Sequence, residues 1–361
     1  MRPLFVILIS FLSLTACKSG DQQQTETDAA ADSAALAIGN ATYTTEDRGP
    51  SITLDAPVML FYRMKPGDSF GYMIRNTEDV TVTQDTIDNI NHQILSWWYR
   101  FEVLEVKPEG GARLRTTCDR VRFSGTYDGP GGKQKVTYDS QEKNSYDVEK
   151  RFAQYNAPVN TPFVIVIDKD GRISDVTELS EVIKNFLKDD YRTTKSNQME
   201  GIARDYAETG LKSVLQLAFQ KLAETPVGKD SSWTIVRPDR IGYMAVRNTA
   251  VYTVRDVVKS PSGKVAHIDA AINSMYVGDK KMDTGQGMAT MNEFDVKGVG
   301  STVFNLDHGR VQRRRLRTDV KVKMWVEPPE ELKQLAPDQA HDFWYSQKAS
   351  VENVIEPYQR P

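Results

Sequence analysis

Cysteine is nearly missing from this chain of 361 residues: there are two, Cys17 and Cys118. If Cys17 is chemically consumed, Cys118 has no partner and a stabilising internal disulfide is excluded. Cys118 lies in "RLRTTCDRVRF", which alternates like a strand, so it reads as a small core residue rather than a reactive thiol. Histidine is also scarce. His92, His267, His308 and His341 are widely spaced, with no H-E-x-x-H and no Cys/His cluster, so neither a metal nor a cofactor is expected. Neither sign of charge dominates: 46 basic against 49 acidic residues give a net charge of −3, which argues against a protein built to hold nucleic acid. There is no G-x-S-x-G and no phosphate-cradling P-loop. "GQGMAT" (285–290) lacks the third glycine of a dinucleotide loop and reads as a strand-linking loop.

What is present begins at the N-terminus. Arg2 gives a short positive start, and "PLFVILISFLSL" follows. At about a dozen residues this run is shorter than the roughly 20 a membrane-spanning helix needs, but it suits the apolar part of a secretory signal. Leu14-Thr15-Ala16-Cys17 ends it. A branched apolar residue, two small residues and a cysteine resemble the lipobox of bacterial lipoproteins, in which the sulfur receives a diacylglyceryl group and the signal is cut before the cysteine. The small side chains admit a peptidase to the backbone, and the thiol is the nucleophile to be alkylated. An ordinary signal that happens to end in cysteine and a short membrane anchor are the alternatives. From Lys18 to about Gly49 the chain is rich in Gln, Thr, Asp, Ala and Ser and nearly free of large apolar residues until Leu36. Such a tract buries too little surface to offset its chain entropy, so it reads as a disordered tether. Lys18 and Ser19 stand where aspartate often marks inner-membrane retention, so the resemblance implies the outer membrane, on the periplasmic face or the cell surface.

The whole chain is 39% apolar and 26% charged, enough for a folded body beyond the tether. "WWYRFEVLEV" (97–106) sets Trp97, Tyr99, Phe101 and Val103 against Arg100 and Glu102 at period two; "KPEGG" turns it into "ARLRTTCDRVRFSG", predicting a hairpin. "PFVIVI" (162–167) is another strand. "ELSEVIKNFL" (178–187) and "NQMEGIARDYAETGLKSVLQLAFQKLAE" (197–224) read as helices. The second carries Ile202, Tyr206, Leu211, Leu215, Ala218, Phe219 and Leu222 on one stripe, with a capping box from Asn197 to Glu200 and a stop at Pro226. The stripe reads as packed core rather than as a lipid-binding groove.

After "ETPVGKDSSW" (224–233) the strands resume in an order that echoes the first half: "GYMIRNTEDVTV" (71–82) with "GYMAVRNTAVYTV" (242–254), "YRFEVLEVKPEGGARL" (99–114) with "YTVRDVVKSPSGKVAHI" (252–268), and "FVIVIDKDGRI" (163–173) with "TVFNLDHGRV" (302–311). The expected class is α+β, mainly antiparallel β: two related β-meander halves forming one or more curved sheets packed on a central helical insertion. The divisions are a signal peptide (1–16), the tether (17–50), a first β half (51–176), a helical segment (177–226), a second β half (227–328) and a C-terminal tail (329–361). Pro226, Val227 and Trp233, the Asp-x-(x)-Gly-Arg turns and the lipobox together resemble an uncharacterised family of lipoproteins from Bacteroidetes-like bacteria, a domain of unknown function. Lys229-Asp230-Ser231 departs from its usual Gly-Asp-Ser order. The resemblance implies a lipid-anchored, β-rich envelope protein and carries over no catalytic residue.

Two stretches invite a chemical reading. "DKDGRISDVTE" suggests a calcium loop, but with Gly171 at the sixth position Val166 and Thr177 fall where the first and last ligands belong, so it reads as a tight turn. "RVQRRRLRTDVKVKM" (310–324) puts Arg313, Arg315, Arg317, Lys321 and Lys323 on one face of a strand and Leu316, Val320, Val322 and Met324 on the other. It reads as the solvated face of a long strand, at an edge guarded against aggregation, or as a patch for anionic envelope material. The leading expectation is a non-catalytic binding or interaction module, held to a membrane through Cys17, for an envelope lipid, glycan or protein. The alternative is an envelope hydrolase with a loop-assembled site.

Overall fold

The computed structural model describes residues 49–54, 56–241, 244–284, 287–335 and 341–359. The signal, Cys17 and nearly all of the expected tether lie outside the described residues. Among the described residues thirteen strands make one antiparallel sheet: β1 (Ser69–Gln84), β2 (Ile87–Val106), β3 (Ala112–Asp128), β4 (Gln134–Asp139), β5 (Phe163–Ile167), β6 (Ile173–Thr177), β7 (Ser232–Ile241), β8 (Met244–Ser260), β9 (Gly263–Tyr276), β10 (Lys281–Asp283), β11 (Met288–Asn305), β12 (Arg310–Glu327) and β13 (Phe343–Pro357). Their order is β6-β5-β3-β2-β1-β13-β12-β11-β9-β8-β7, with β4 on β3 and β10 on β11. The strands on either side of the helical segments therefore belong to one continuous sheet.

Period-two patterning decides which face each strand buries. On β2, Trp97, Tyr99, Phe101 and Val103 are at most 3% exposed, and Arg100 and Glu102 point the other way. A bulge opposite Trp98 and Tyr99 puts Asp119 out of register, where it takes the Arg100 guanidinium at 2.6 and 2.8 Å. Helical segments α1 (Tyr146–Arg151) and α2 (Ala153–Asn156) sit between β4 and β5. Segments α3 (Ser180–Leu187), α4 (Ser196–Asp205) and α5 (Ser213–Leu215) sit between β6 and β7, with a π-helical stretch at Tyr206–Lys212, and α6 (Glu330–Leu335) precedes β13.

The sheet is strongly curled. Gln216 Oε1 accepts from Ile173 N of β6 at 2.9 Å, the Leu217 carbonyl accepts from Arg314 Nη1 of β12 at 3.0 Å, and Gln220 Oε1 accepts from Thr302 Oγ1 of β11. From β6 to β11 there are seven strand spacings, roughly 34 Å if the sheet were flat. Five residues span about 14 Å. Only a sheet wrapped around this segment lets both wings reach it. The segment fills the concave side: the Phe219 ring lies 5.3 Å from that of Phe101 and 5.7 Å from that of Tyr62.

Three expectations are corrected. The second helix ends at Leu215, not near Glu224, because Gln216 turns its side chain onto the Gly171 carbonyl and the Ile173 amide and the backbone leaves the helical path. Its cap lies earlier than Asn197: Lys195 N donates to Gln198 Oε1 at 3.2 Å. Residues 343–357 are not a tail packed on the body but a central strand, paired along its length with β1 and β12. That strand is stable there because Phe343, Tyr345, Ala349, Val351 and Ile355 alternate onto the concave face.

The recurrent Asp-x-(x)-Gly-Arg turns both close hairpins. Gly171, at φ 88°, links β5 to β6, and Gly309, at φ 58°, links β11 to β12. Asp170 stands near Lys221 at 3.6 Å, as a turn residue tied to its neighbour.

Candidate functional site

The concave face divides along the strands. One end is packed on α3–α5 and the 216–223 segment. The other is a separate apolar cluster formed by strands alone, including Met244, Val246, Val296, Val320, Val322, Met324, Phe343, Tyr345 and Val351. Between them runs a polar belt. Glu78 of β1 faces Gln93 of β2 and lies across β13 from Thr318 of β12, with Val351 between them. Gln93 Nε2 donates to Glu78 Oε2 at 2.5 Å, and Asn76 Nδ2 donates to Asn353 Oδ1 at 3.2 Å. Glu78 is 2% exposed. Burial pushes its carboxyl up to about 7 against the pull of the Gln93 and Asn76 amides, so it is largely protonated at mildly acidic pH. Glu78 Oε1 and Thr318 Oγ1 are buried with no hydrogen-bond partner among the described residues.

A surface cleft of about 270 Å³ opens on the other face, between Ser69, Arg100, Glu102, Arg115, Thr117 and Tyr358. Its cations are already engaged: Arg100 with Asp119, and Arg115 with Glu102 at 2.8 Å. Among the described residues no three His, Cys, Asp or Glu side chains are placed to hold a metal ion, and no helix is long and apolar enough to cross a membrane.

The basic run occupies β12. Arg317, Lys321 and Lys323 point outward, away from the helical insert, whereas Leu316, Val320, Val322 and Met324 are buried. Arg313 is half-buried beside a bulge at Val303, and Arg315 is half-buried. The strand is internal to the sheet, between β11 and β13, not an edge. Its positive charge is uneven. Arg315 Nη2 sits 2.6 Å from Glu352 Oε1 and Arg317 Nη2 lies 3.2 Å from Asp319 Oδ1. Lys321 has Glu293 at 3.9 Å, and the Lys323 ammonium lies 4.6 Å from the centroid of the Trp344 ring. Arg314, one residue out of the expected outward set, is buried and bonds the insert instead.

The outward face adds residues that the basic run does not contain. Lys348 of β13 is the cross-strand neighbour of Lys321, and Trp344 pairs with Trp325, their rings 5.2 Å apart. "FWYSQK" carries the aromatic part of this signal, but the pairing with β12 depends on a register that no local pattern prints.

No curated protein matches the sequence. Among solved structures, one described as "Lipid-protein interactions in lipovitellin" shares 9% identity at a TM-score of 0.42, over 82% of this chain and 26% of that one. The outer membrane channel from Pseudomonas putida F1 (6% identity, TM-score 0.21) aligns over 82% of this chain and 97% of its own, and the translocator domain of autotransporter NalP from Neisseria meningitidis (7%, TM-score 0.20) over 91% and 97%. The chain thus spans about a quarter of the lipovitellin chain, and likenesses at these TM-scores carry no argument about ligand or location. The profile of DUF6263, a family of unknown function, matches residues 120–310. That match takes in β4–β11 and α1–α5 whole, more than half of the chain, and the protein belongs to this family.

Proposed function

We propose that the chain is a lipoprotein of the bacterial cell envelope, held at the outer membrane by acyl chains on Cys17, and that its folded body is a non-catalytic module binding an envelope lipid, glycan or protein. The observation that carries this reading is Leu14-Thr15-Ala16-Cys17 directly after the apolar run. Among the described residues the first pairing with the sheet is at Ser51, against Val258. Two or three acyl chains, at about 0.8 kcal/mol per buried methylene, hold such a body durably to a bilayer. The two β halves are read as diverged copies of one unit, a reading supported by the shared Asp-x-(x)-Gly-Arg hairpins at β5–β6 and β11–β12. The first two sequence matches, however, both draw on β8, the second running on into β9, so the copies do not correspond strand for strand.

Cells grown with labelled palmitate should yield labelled protein that partitions into the detergent phase, and Cys17→Ser should abolish both. Label retained by Cys17→Ser, or wild-type protein that is unlabelled and water-soluble, overturns the reading.

A further inference from the structure

We propose that the outward corner formed by Trp325, Trp344, Lys321, Lys323 and Lys348 is a second membrane contact, seating the sheet on an anionic bilayer surface while the Cys17 acyl chains hold the protein nearby. The proposal rests on the tethered-lipoprotein reading for its nearness to a membrane, and on the corner itself for its chemistry.

The antiparallel ladder assembles the corner in successive rows. Lys321 of β12 and Lys348 of β13 are direct neighbours, and Lys348 is followed by Thr81 of β1 and Ile90 of β2. In the row beyond Lys323 stand Trp325 and Trp344. Ile90 is 51% exposed and Trp344 39% exposed, although the sheet has a buried face available to every strand. Two like charges directly opposed across a ladder are destabilising by themselves. Among the described residues no carboxylate comes within ion-pair distance of Lys323 or Lys348, unlike Arg315 and Arg317 on the same strand. Lys321 is met by Glu293 at 3.9 Å, and β11 sets Glu293 opposite Lys323 and Asp295 opposite Lys321, so the unpaired positive charge of the corner rests on Lys323 and Lys348.

Tryptophan with lysine suits one environment in particular. The indole ring is amphipathic and settles at headgroup depth, while lysine carries its ammonium on an apolar stem and is drawn to anionic headgroups by about 1 kcal/mol per cation near the surface. Lys323 already lies against the Trp344 ring, so a phosphate could meet the ammonium at the same point where acyl chains meet the indole. Reach is sufficient. The described chain starts beside the end of β8, where Lys259 N donates to the Pro50 carbonyl, at the opposite end of the sheet from Trp344. The strands are roughly 55 Å long, and the residues between Cys17 and Gly49 extend to roughly 100 Å.

The test uses full-length acylated protein reconstituted in vesicles of phosphatidylcholine with 30% phosphatidylglycerol, in which the phospholipid acyl chains are brominated near the headgroup. Tryptophan emission should be quenched, and Trp325→Phe with Trp344→Phe should remove more than half of that quenching. Lys321→Gln with Lys323→Gln, which leaves every tryptophan in place, should reduce it at least twofold, as should 0.5 M salt. Unchanged quenching in either double variant, or equal quenching in pure phosphatidylcholine, overturns the corner. So does protection of the tryptophans by soluble lipopolysaccharide but not by vesicles. Failure of the tethered-lipoprotein reading shows separately, as protein that does not float with vesicles at all.

Discussion

Gln216 and Ile173 lie 43 residues apart and share one hydrogen bond of 2.9 Å, from the Ile173 amide to the Gln216 side-chain oxygen. The same side chain donates to the Gly171 carbonyl at 2.9 Å and to the Phe219 carbonyl. One buried amide thus ends a helix, closes the β5–β6 turn and fixes the segment around which the sheet curls. Gln216→Leu keeps the volume but leaves a strand N–H and two carbonyls without their partner. Each unsatisfied buried group costs about 1–3 kcal/mol, so a loss of about 3 kcal/mol or more is expected in urea unfolding. Lys184→Ala, which removes only the exposed pair with Glu181, should shift stability by less than about 0.5 kcal/mol. Equal effects of the two substitutions would show that the Gln216 contacts do not hold the curl.

The β5–β6 turn makes a second claim on geometry. A Cβ at Gly171 would stand 2.3 Å from Tyr62 Cε2 and 2.6 Å from the Gln220 carbonyl, at a φ of 88° that disfavours side chains. Gly67 has a nearly equal φ of 85° with nothing within 4 Å. Gly171→Ala should therefore cost about 3 kcal/mol or more, adding overpacking to backbone strain. Gly67→Ala should cost only about 1 kcal/mol. Thermal melts of the two variants measure the difference, and matching melts would locate the cost in the backbone alone.

Cys118 offers a test of burial independent of stability. The thiol is fully buried, donates to the Arg120 carbonyl at 3.3 Å, and is pushed up to about 12 by burial. Since the thiolate is the reactive form, native Cys17→Ser protein should show no modification by iodoacetamide over an hour at pH 8. In guanidinium one thiol should react fully. Rapid native labelling would mean that β3 opens locally.

The strands that the sequence announces are those whose two faces differ in polarity. β2 and β12 alternate apolar with charged residues, so their faces can be read residue by residue. β13 escapes that reading because Gln347 and Asn353 lie on its buried face, 1% and 7% exposed, and break the alternation. The helix ending at Leu215 is overextended in the sequence because Ala218, Phe219 and Leu222 keep helical spacing after the backbone has turned. Charge positions on β12 are legible from alternation, but their neutralisation is not: Glu352 and Glu293 reach Arg315 and Lys321 only through the ladder. The Lys321–Lys348 neighbourhood and the polar belt around Glu78 are likewise set by register between strands distant in sequence.

That belt gives the stability of the fold a pH dependence whose sign is fixed. Glu78 is protonated below about 7 in the folded chain, whereas the unfolded carboxyl titrates near 4.3. Between these values the folded state binds the extra proton, so stability contributed by this group is full below about pH 4.5, falls as pH rises and levels off above about 7. The swing is up to about 3 kcal/mol. Glu78→Gln removes the titration while keeping a polar group opposite Gln93, which can turn its own amide to meet it. Urea midpoints of both proteins from pH 4.5 to 8 separate Glu78 from the other carboxylates, because only the difference between the two curves belongs to it. The variant should gain on the wild type steadily across that window and by the full amount at pH 8. A difference that stays constant with pH would mean that Glu78 ionises in the fold as it does in the unfolded chain, and that the belt is hydrated.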